Sequence, residues 1–123
     1  MGASKPDGWP GILHREGRTL CRLPRDPGEA GSGPAAKGQG VVFHNPAVAG
    51  SRTRSVLLLQ YCIEAGLLGN STIYALDGLS ASGLRARRWL NELPPKIASR
   101  IDATMGDMDS AALDWAMLCH DEF

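Results

Sequence analysis

A run of seven residues, Asp77-Gly78-Leu79-Ser80-Ala81-Ser82-Gly83, constrains this chain more than any other feature. It joins Thr72–Leu76 (TIYAL), a short apolar and β-branched run, to Leu84–Leu93, a stretch of helical character closed by Pro94-Pro95. An uninterrupted apolar run of five residues between turn residues has the pattern of a strand buried on both faces of a parallel sheet. Ile101–Met105 (IDATM) repeats the strand pattern and ends on Gly106-Asp107. Asp109 or Ser110 then caps a last helix through Cys119, with Ala112, Trp115, Ala116 and Cys119 turned to the core. The order is strand, small-residue turn, helix, strand, acid, helix. It predicts a βαβα unit with a parallel sheet and a right-handed crossover. Two strands are too few for a stable sheet, so the pattern predicts part of a larger domain or a surface completed by a partner.

Upstream, Val56, Leu59, Ile63 and Leu67 recur at three- and four-residue spacing. They predict a helix capped by Ser51 and ended by Gly66 and Gly69-Asn70. Asn45-Pro46 stops the apolar run Val41-Val42-Phe43 before it. Residues 1–40 read as an irregular region. Pro24–Gly40 has linker composition, and Ile12–Leu23 predicts a hairpin turning at Glu16-Gly17. The expected organisation is residues 1–40 as this irregular region and residues 41–123 as the start of a ligand-binding domain.

Composition excludes several classes. Hydrophobic residues make up 43%, so a core can form. The net charge is zero, but residues 41–100 carry seven Lys/Arg against three Asp/Glu, and residues 101–123 carry six acids and no base. A basic middle could face a phosphate backbone, although Arg85, Arg87 and Arg88 also read as an ordinary solvated helix face. The three cysteines, Cys21, Cys62 and Cys119, form neither a disulfide framework nor a zinc motif. His14, His44 and His120 lie far apart with no ligand spacing, so no metal is expected. No apolar segment has signal-peptide or membrane-span length, and the expectation is a soluble intracellular protein.

The turn after the first strand lies where ligands bind in doubly wound α/β folds, beyond the carboxyl ends of the strands. Small residues there admit a ligand close to the backbone, and the helix N-terminus offers free amides. Asp107, 24 residues after Gly83 at the end of the next strand, can accept hydrogen bonds from the two ribose hydroxyls of an adenosine. A dinucleotide site favours a second glycine where Ser80 stands. The leading Asp77 instead suits S-adenosylmethionine, which has a charged amino-acid end and no pyrophosphate. An NAD-dependent half-domain and a non-catalytic adenosine- or RNA-associated module are the alternative classes.

Val42-Phe43-His44-Asn45-Pro46, Ser51-Arg52-Thr53, Leu76–Arg85 (LDGLSASGLR) and Gly106-Asp107 together resemble the tRNA (guanine-26-N2) dimethyltransferase family. That family carries V-F-Y-N-P, N-R-D, L-D-A-L-S-A-T-G-I-R and N-D in the same order, and Arg15-Glu16-Gly17 resembles its E-G-x-A opening. The likeness covers roughly residues 12–118. It implies a partial Rossmann-like class I methyltransferase domain that methylates the exocyclic amine of a guanine in tRNA with S-adenosylmethionine. Residue by residue, it implies Arg52 and Arg85 as contacts to the cofactor's carboxylate end. It also implies Asp77 beside the methionine moiety and Asp107 as the ribose acceptor. His44 replaces the family's Tyr, Gly106 replaces its Asn, and Thr53 replaces the acid expected to partner Arg52. The family's D-P-F-G motif, which lies against the target guanine, would follow Phe123, so no catalytic residue is assigned and the chain is expected to be an N-terminal part.

Overall fold

The computed structural model describes residues 5–24, 42 and 44–123. The hairpin forms as expected: β1 (Ile12–Glu16) pairs antiparallel with β2 (Thr19–Leu23), with Glu16 opposite Thr19. Gly17 turns it at φ 59°, a left-handed conformation that glycine adopts without steric cost. Thr19, Cys21 and Leu23 alternate along the buried face of β2. The linker assigned to Pro24–Gly40 falls outside the described residues, apart from Pro24 itself.

Asn45 caps a 3₁₀ turn at Pro46–Val48, its side chain accepting from the Ala47 amide at 2.9 Å. The turn runs directly into α1 (Ala49–Glu64). The helix therefore starts before Ser51, which lies within its first turn, and Val48 closes its N-terminus without a side-chain cap. Leu67 is the other departure. The helix ends at Glu64, Gly66 turns left-handed at φ 73°, and Leu67 is exposed. Arg52, Val56 and Ile63 form its buried stripe.

Strand β3 (Ile73–Asp77) pairs in parallel with β4 (Ile101–Met105), Ile73 opposite Ile101 and Asp77 opposite Met105. Helices α2 (Leu84–Glu92) and α3 (Pro95–Ala98) connect them, and α4 (Ser110–Glu122) follows β4. Pro94-Pro95 ends one helix and begins the next, consistent with proline's fixed φ at a first helical position. Asp109 caps α4, accepting from the Ala111 amide at 3.0 Å. Ala112, Trp115, Ala116 and Cys119 are its buried residues, as the periodicity requires.

Three apolar clusters hold these parts together. Val56, Ala86, Trp89 and Leu93 pack α1 and α2 against Ala75, Ile101, Ala103 and Met105 of the sheet. Cys21, Leu23, Leu84 and Cys119 join the hairpin to α2 and α4. Val42, Ala112 and Trp115 close the third, with the Trp9 ring 5.0 Å from the Trp115 ring and tilted 58° to it. The expectation that β3 is buried on both faces is corrected. Tyr74 and Leu76 are 80% and 69% exposed, opposite Asp102 and Thr104. Among the described residues, helices cover only the Ile73–Ala75–Asp77 face, so alternation leaves the other set of side chains exposed.

Candidate functional site

The cleft at the carboxyl end of β3 is assembled by its loop. The Gly106 amide donates to the Asp77 carbonyl at 2.8 Å, and the Ser80 amide donates to the Gly106 carbonyl at 2.9 Å. The ends of the two strands are thereby laced together. Gly83 closes the turn at φ 70°, its amide bonded to the Ser80 carbonyl at 2.7 Å. A Cβ there would lie 2.7 Å from the Met105 sulfur and 2.8 Å from the Ala116 Cβ, so glycine is required for α2 to start against α4. Ala81 sits at φ 44°, an uncommon conformation for a residue with a side chain. Its amide donates to Asp107 Oδ2 at 2.9 Å, while Asp107 Oδ1 accepts from the Asp109 amide at 2.9 Å.

The resulting cavity has a volume of about 140 Å³. Arg52, Asp77, Ser80, Ser82 and Arg85 line it, with His44 and Asn45 from the segment before α1. Three of the four residues expected at the site therefore share one cleft. Asp107 stands at its edge, joined to it through Ala81. Asp77 and Ser80 are buried, and Asp77 Oδ2 and Ser80 Oγ have no hydrogen-bond partner among the described residues. Burial pushes the Asp77 carboxyl above the ordinary range, against the pull of the Arg85 guanidinium and the Ala86 amide. Among the described residues Arg85 makes only long contacts, 3.3 Å to the Ser51 carbonyl and 3.3 Å to its hydroxyl.

Arg52 is held differently. Its Nε and Nη2 meet the two Glu16 oxygens at 2.8 and 2.7 Å, and Nη2 also reaches the Asn45 carbonyl at 3.0 Å. The expected absence of a partner, inferred from Thr53, is thus corrected: the carboxylate comes from the hairpin. Glu16 also accepts from Arg88 Nη1 at 3.0 Å, and Arg88 grips Glu92 at 2.7 and 2.9 Å. Thr19 donates to the same Glu92 carboxylate at 2.9 Å. Burial alone would raise the Glu16 pKa, but Arg52 and Arg88 override it and hold the carboxyl below its usual range. Arg87 and Arg88 are buried as well, so the reading of an arginine-rich solvated face on α2 is also corrected. Charge matching with the hairpin brings Arg88 inside.

The fold also gathers two of the histidines set aside on sequence. The His14 and His44 rings lie 5.0 Å apart, edge to face, and their nitrogens approach Glu16 within 4.8 Å. Such a trio has the donor types of a metal site. Glu16, however, already accepts from two guanidiniums, which a cation would have to displace.

A parallel strand pair connected through helices, with a small-residue loop and a following acid beside a cleft, is an α/β arrangement consistent with part of a Rossmann-like domain. Within that class, a family model described as N2,N2-dimethylguanosine tRNA methyltransferase matches residues 30–116, and the chain belongs to that family of tRNA methyltransferases. No curated protein and no solved structure matches the chain. Among the described residues no helix is long and apolar enough to cross a membrane.

Proposed function

We propose that the chain supplies the cofactor-binding part of an S-adenosylmethionine-dependent tRNA (guanine-26-N2) dimethyltransferase. The observation that carries this reading is the pair of orphaned buried oxygens, Asp77 Oδ2 and Ser80 Oγ, on two residues that line one cleft with Arg85. Buried polar atoms without partners signal a polar ligand. An α-amino acid end, with an ammonium and a carboxylate on one carbon, matches an acid and a guanidinium so placed. Asp77 would take the ammonium and Arg85 the carboxylate, in a bidentate fork. Arg52, whose Nη1 bonds to none of the described residues, would add a second cationic contact. Asp107 would accept from the ribose hydroxyls through lone pairs its two amide bonds leave available. Residues 41–123 would form this part of the domain, with residues 1–40 leading into it.

When bound, S-adenosylmethionine would supply an electrophilic methyl group to the exocyclic amine of a guanine in tRNA. The chain's own residues bind and orient: Asp77 and Arg85 fix one end, and Gly78 to Gly83 let the ligand approach the backbone. Positioning of this kind supplies much of the rate in group transfer. The test is calorimetric titration of the full chain with S-adenosylhomocysteine, with NAD in parallel. Saturable binding of the homocysteine nucleoside is expected, with at least a tenfold loss in Asp77→Asn and in Arg85→Met and none for NAD. No binding to a chain shown folded by circular dichroism, or equal binding of NAD, overturns the reading.

A further inference from the structure

Helix α1 is apolar on two faces, and the described residues cover only one of them. Val56 and Ile63 are buried, and Leu59 packs against the cluster that joins α1 to α2 and the sheet. On the opposite side Leu57, Leu58 and Tyr61 are 60%, 64% and 64% exposed. A helix that is apolar all round is normally buried all round, and a contiguous apolar patch left on a surface marks an interaction site.

Charges frame this patch. Arg54, Leu57, Tyr61 and Glu64 follow one another at spacings of three, four and three residues, and all four are exposed. That spacing is the seam of a heptad, and Leu58 lies beside it. The order along the seam is cation, apolar, apolar, acid, symmetric in spacing about Leu59. Two copies of the helix laid antiparallel about that point set Leu57 against the partner's Tyr61 and Arg54 against the partner's Glu64. A two-fold axis makes each contact twice. Arg54 enters no ion pair with a described residue. Glu64 accepts from Gln60 at 3.1 Å through Oε1 alone, which leaves Oε2 open.

We propose that this face of α1 is a self-complementary interface through which two copies of the chain pair, their α1 helices antiparallel. The charge pattern selects this occupant. A phosphate backbone or an anionic lipid surface calls for a cluster of cations, whereas here Arg54 is balanced by Glu64. The seam has the length it needs, because the 16 residues of α1 span about 24 Å. It is one helix wide, which places the dimer at the weak end of specific interfaces. The pairing leaves the cleft at β3 open, since none of the four seam residues lines it.

The experiment is sedimentation velocity on the full chain from micromolar to submillimolar loading, with the fold of each variant checked by circular dichroism and thermal unfolding. The parent chain should show a reversible monomer–dimer equilibrium. Tyr61→Asp should weaken it at least tenfold and leave the unfolding temperature of the monomer unchanged. Arg54→Glu alone and Glu64→Arg alone each set like charges against each other at both ends of the seam and should weaken pairing at least threefold. Both substitutions in one chain, or an equimolar mixture of the two single variants, should restore it, because antiparallel pairing sets those two positions opposite each other. Should Tyr61→Asp fail to fold, the charge swaps decide. The proposal is overturned by a parent chain that stays monomeric throughout that range, by a folded Tyr61→Asp variant that pairs like the parent, or by swap combinations that regain nothing of what the single substitutions lose. A monomeric parent destabilised by Tyr61→Asp would assign the face to another segment of the same chain.

Discussion

Glu16 and Arg52, 36 residues apart, form a bidentate pair at 2.7 and 2.8 Å in which both side chains are buried. The pair anchors the hairpin to α1 beside the cleft, and Arg88 extends it to α2. Removing one member of such a pair strands the other charge, typically at a cost of about 3 kcal/mol or more. Glu16→Gln should therefore lower the free energy of unfolding in urea by about 3 kcal/mol. Thr53→Asp added to that variant, which places an acid next to Arg52 in sequence, should recover little of it, because Thr53 is exposed whereas Arg52 is buried.

Stability should fall on mild acidification. Burial, the Arg52 guanidinium and His14 together push the His44 imidazole down to about 4, against the opposing pull of Glu16. In the unfolded chain a histidine titrates near ~6.5. Between those values the unfolded state binds more protons, so stability is lost as pH drops from about 6.5 towards 4. Glu16 acts in the same sense lower down: its folded pKa is depressed, and its contribution disappears as pH falls through that value. Asp77 opposes both, since its raised folded pKa makes the folded state the better proton binder across its own window. Urea midpoints measured from pH 7 to pH 4.5 should decline, and His44→Phe should flatten the decline.

The thiols should divide by burial. Cys21 and Cys119 are buried with raised pKa values, and Cys119 is further engaged by the Arg22 amide, which donates to its sulfur at 3.2 Å. Cys62, half-buried on α1, has no such enclosure. Thiolate is the reactive form, so a charged disulfide reagent at pH 8 should modify Cys62 at least tenfold faster than either buried thiol. In denaturant the three rates should converge. Fast modification of Cys21 in the folded chain would contradict the packing of β2 against α2 and α4.

Local pattern was enough for the elements, because period and punctuation are written in neighbouring residues. The hairpin at Glu16-Gly17, the strand Ile101–Met105 and the buried face of α4 were all legible that way. What was not legible depends on residues far apart in the chain. Arg87 and Arg88 look like a solvated stripe until Glu16 and Glu92 are placed beside Arg88. His14 and His44 look unrelated until the hairpin folds back on the segment before α1. Tyr74 and Leu76 read as core because the strand is apolar throughout, yet only one face meets helices. Trp9 had no sequence context at all, and its role follows from Trp115 lying 5.0 Å away. At the cleft, Asp77 stood out at the head of the loop and Arg85 was singled out only by the family resemblance, whereas the partner of Arg52 was not legible at all.

Asp107 and Ala81 offer the most discriminating test of how the cleft is held. The Ala81 amide donates to Asp107 Oδ2 at 2.9 Å, and Ala81 stands at φ 44°. A left-handed conformation costs a residue with a side chain about 1–2 kcal/mol. Ala81→Gly removes that cost but gives the unfolded chain more freedom, worth about 0.4–1 kcal/mol, so its net gain should lie between about 0 and 1.6 kcal/mol. Asp107→Ala loses two amide bonds to a carboxylate and should cost about 2 kcal/mol at this half-buried position. If Asp107 is what keeps Ala81 in place, the loop relaxes without it, and Ala81→Gly then has no strain left to relieve. The two substitutions should therefore be non-additive by about 0.5 kcal/mol or more in a double-mutant cycle read from urea unfolding. Strict additivity would mean that the Ser80–Gly106 and Gly83–Ser80 backbone bonds hold the loop by themselves, leaving the Asp107 carboxylate free for a ligand's hydroxyl groups.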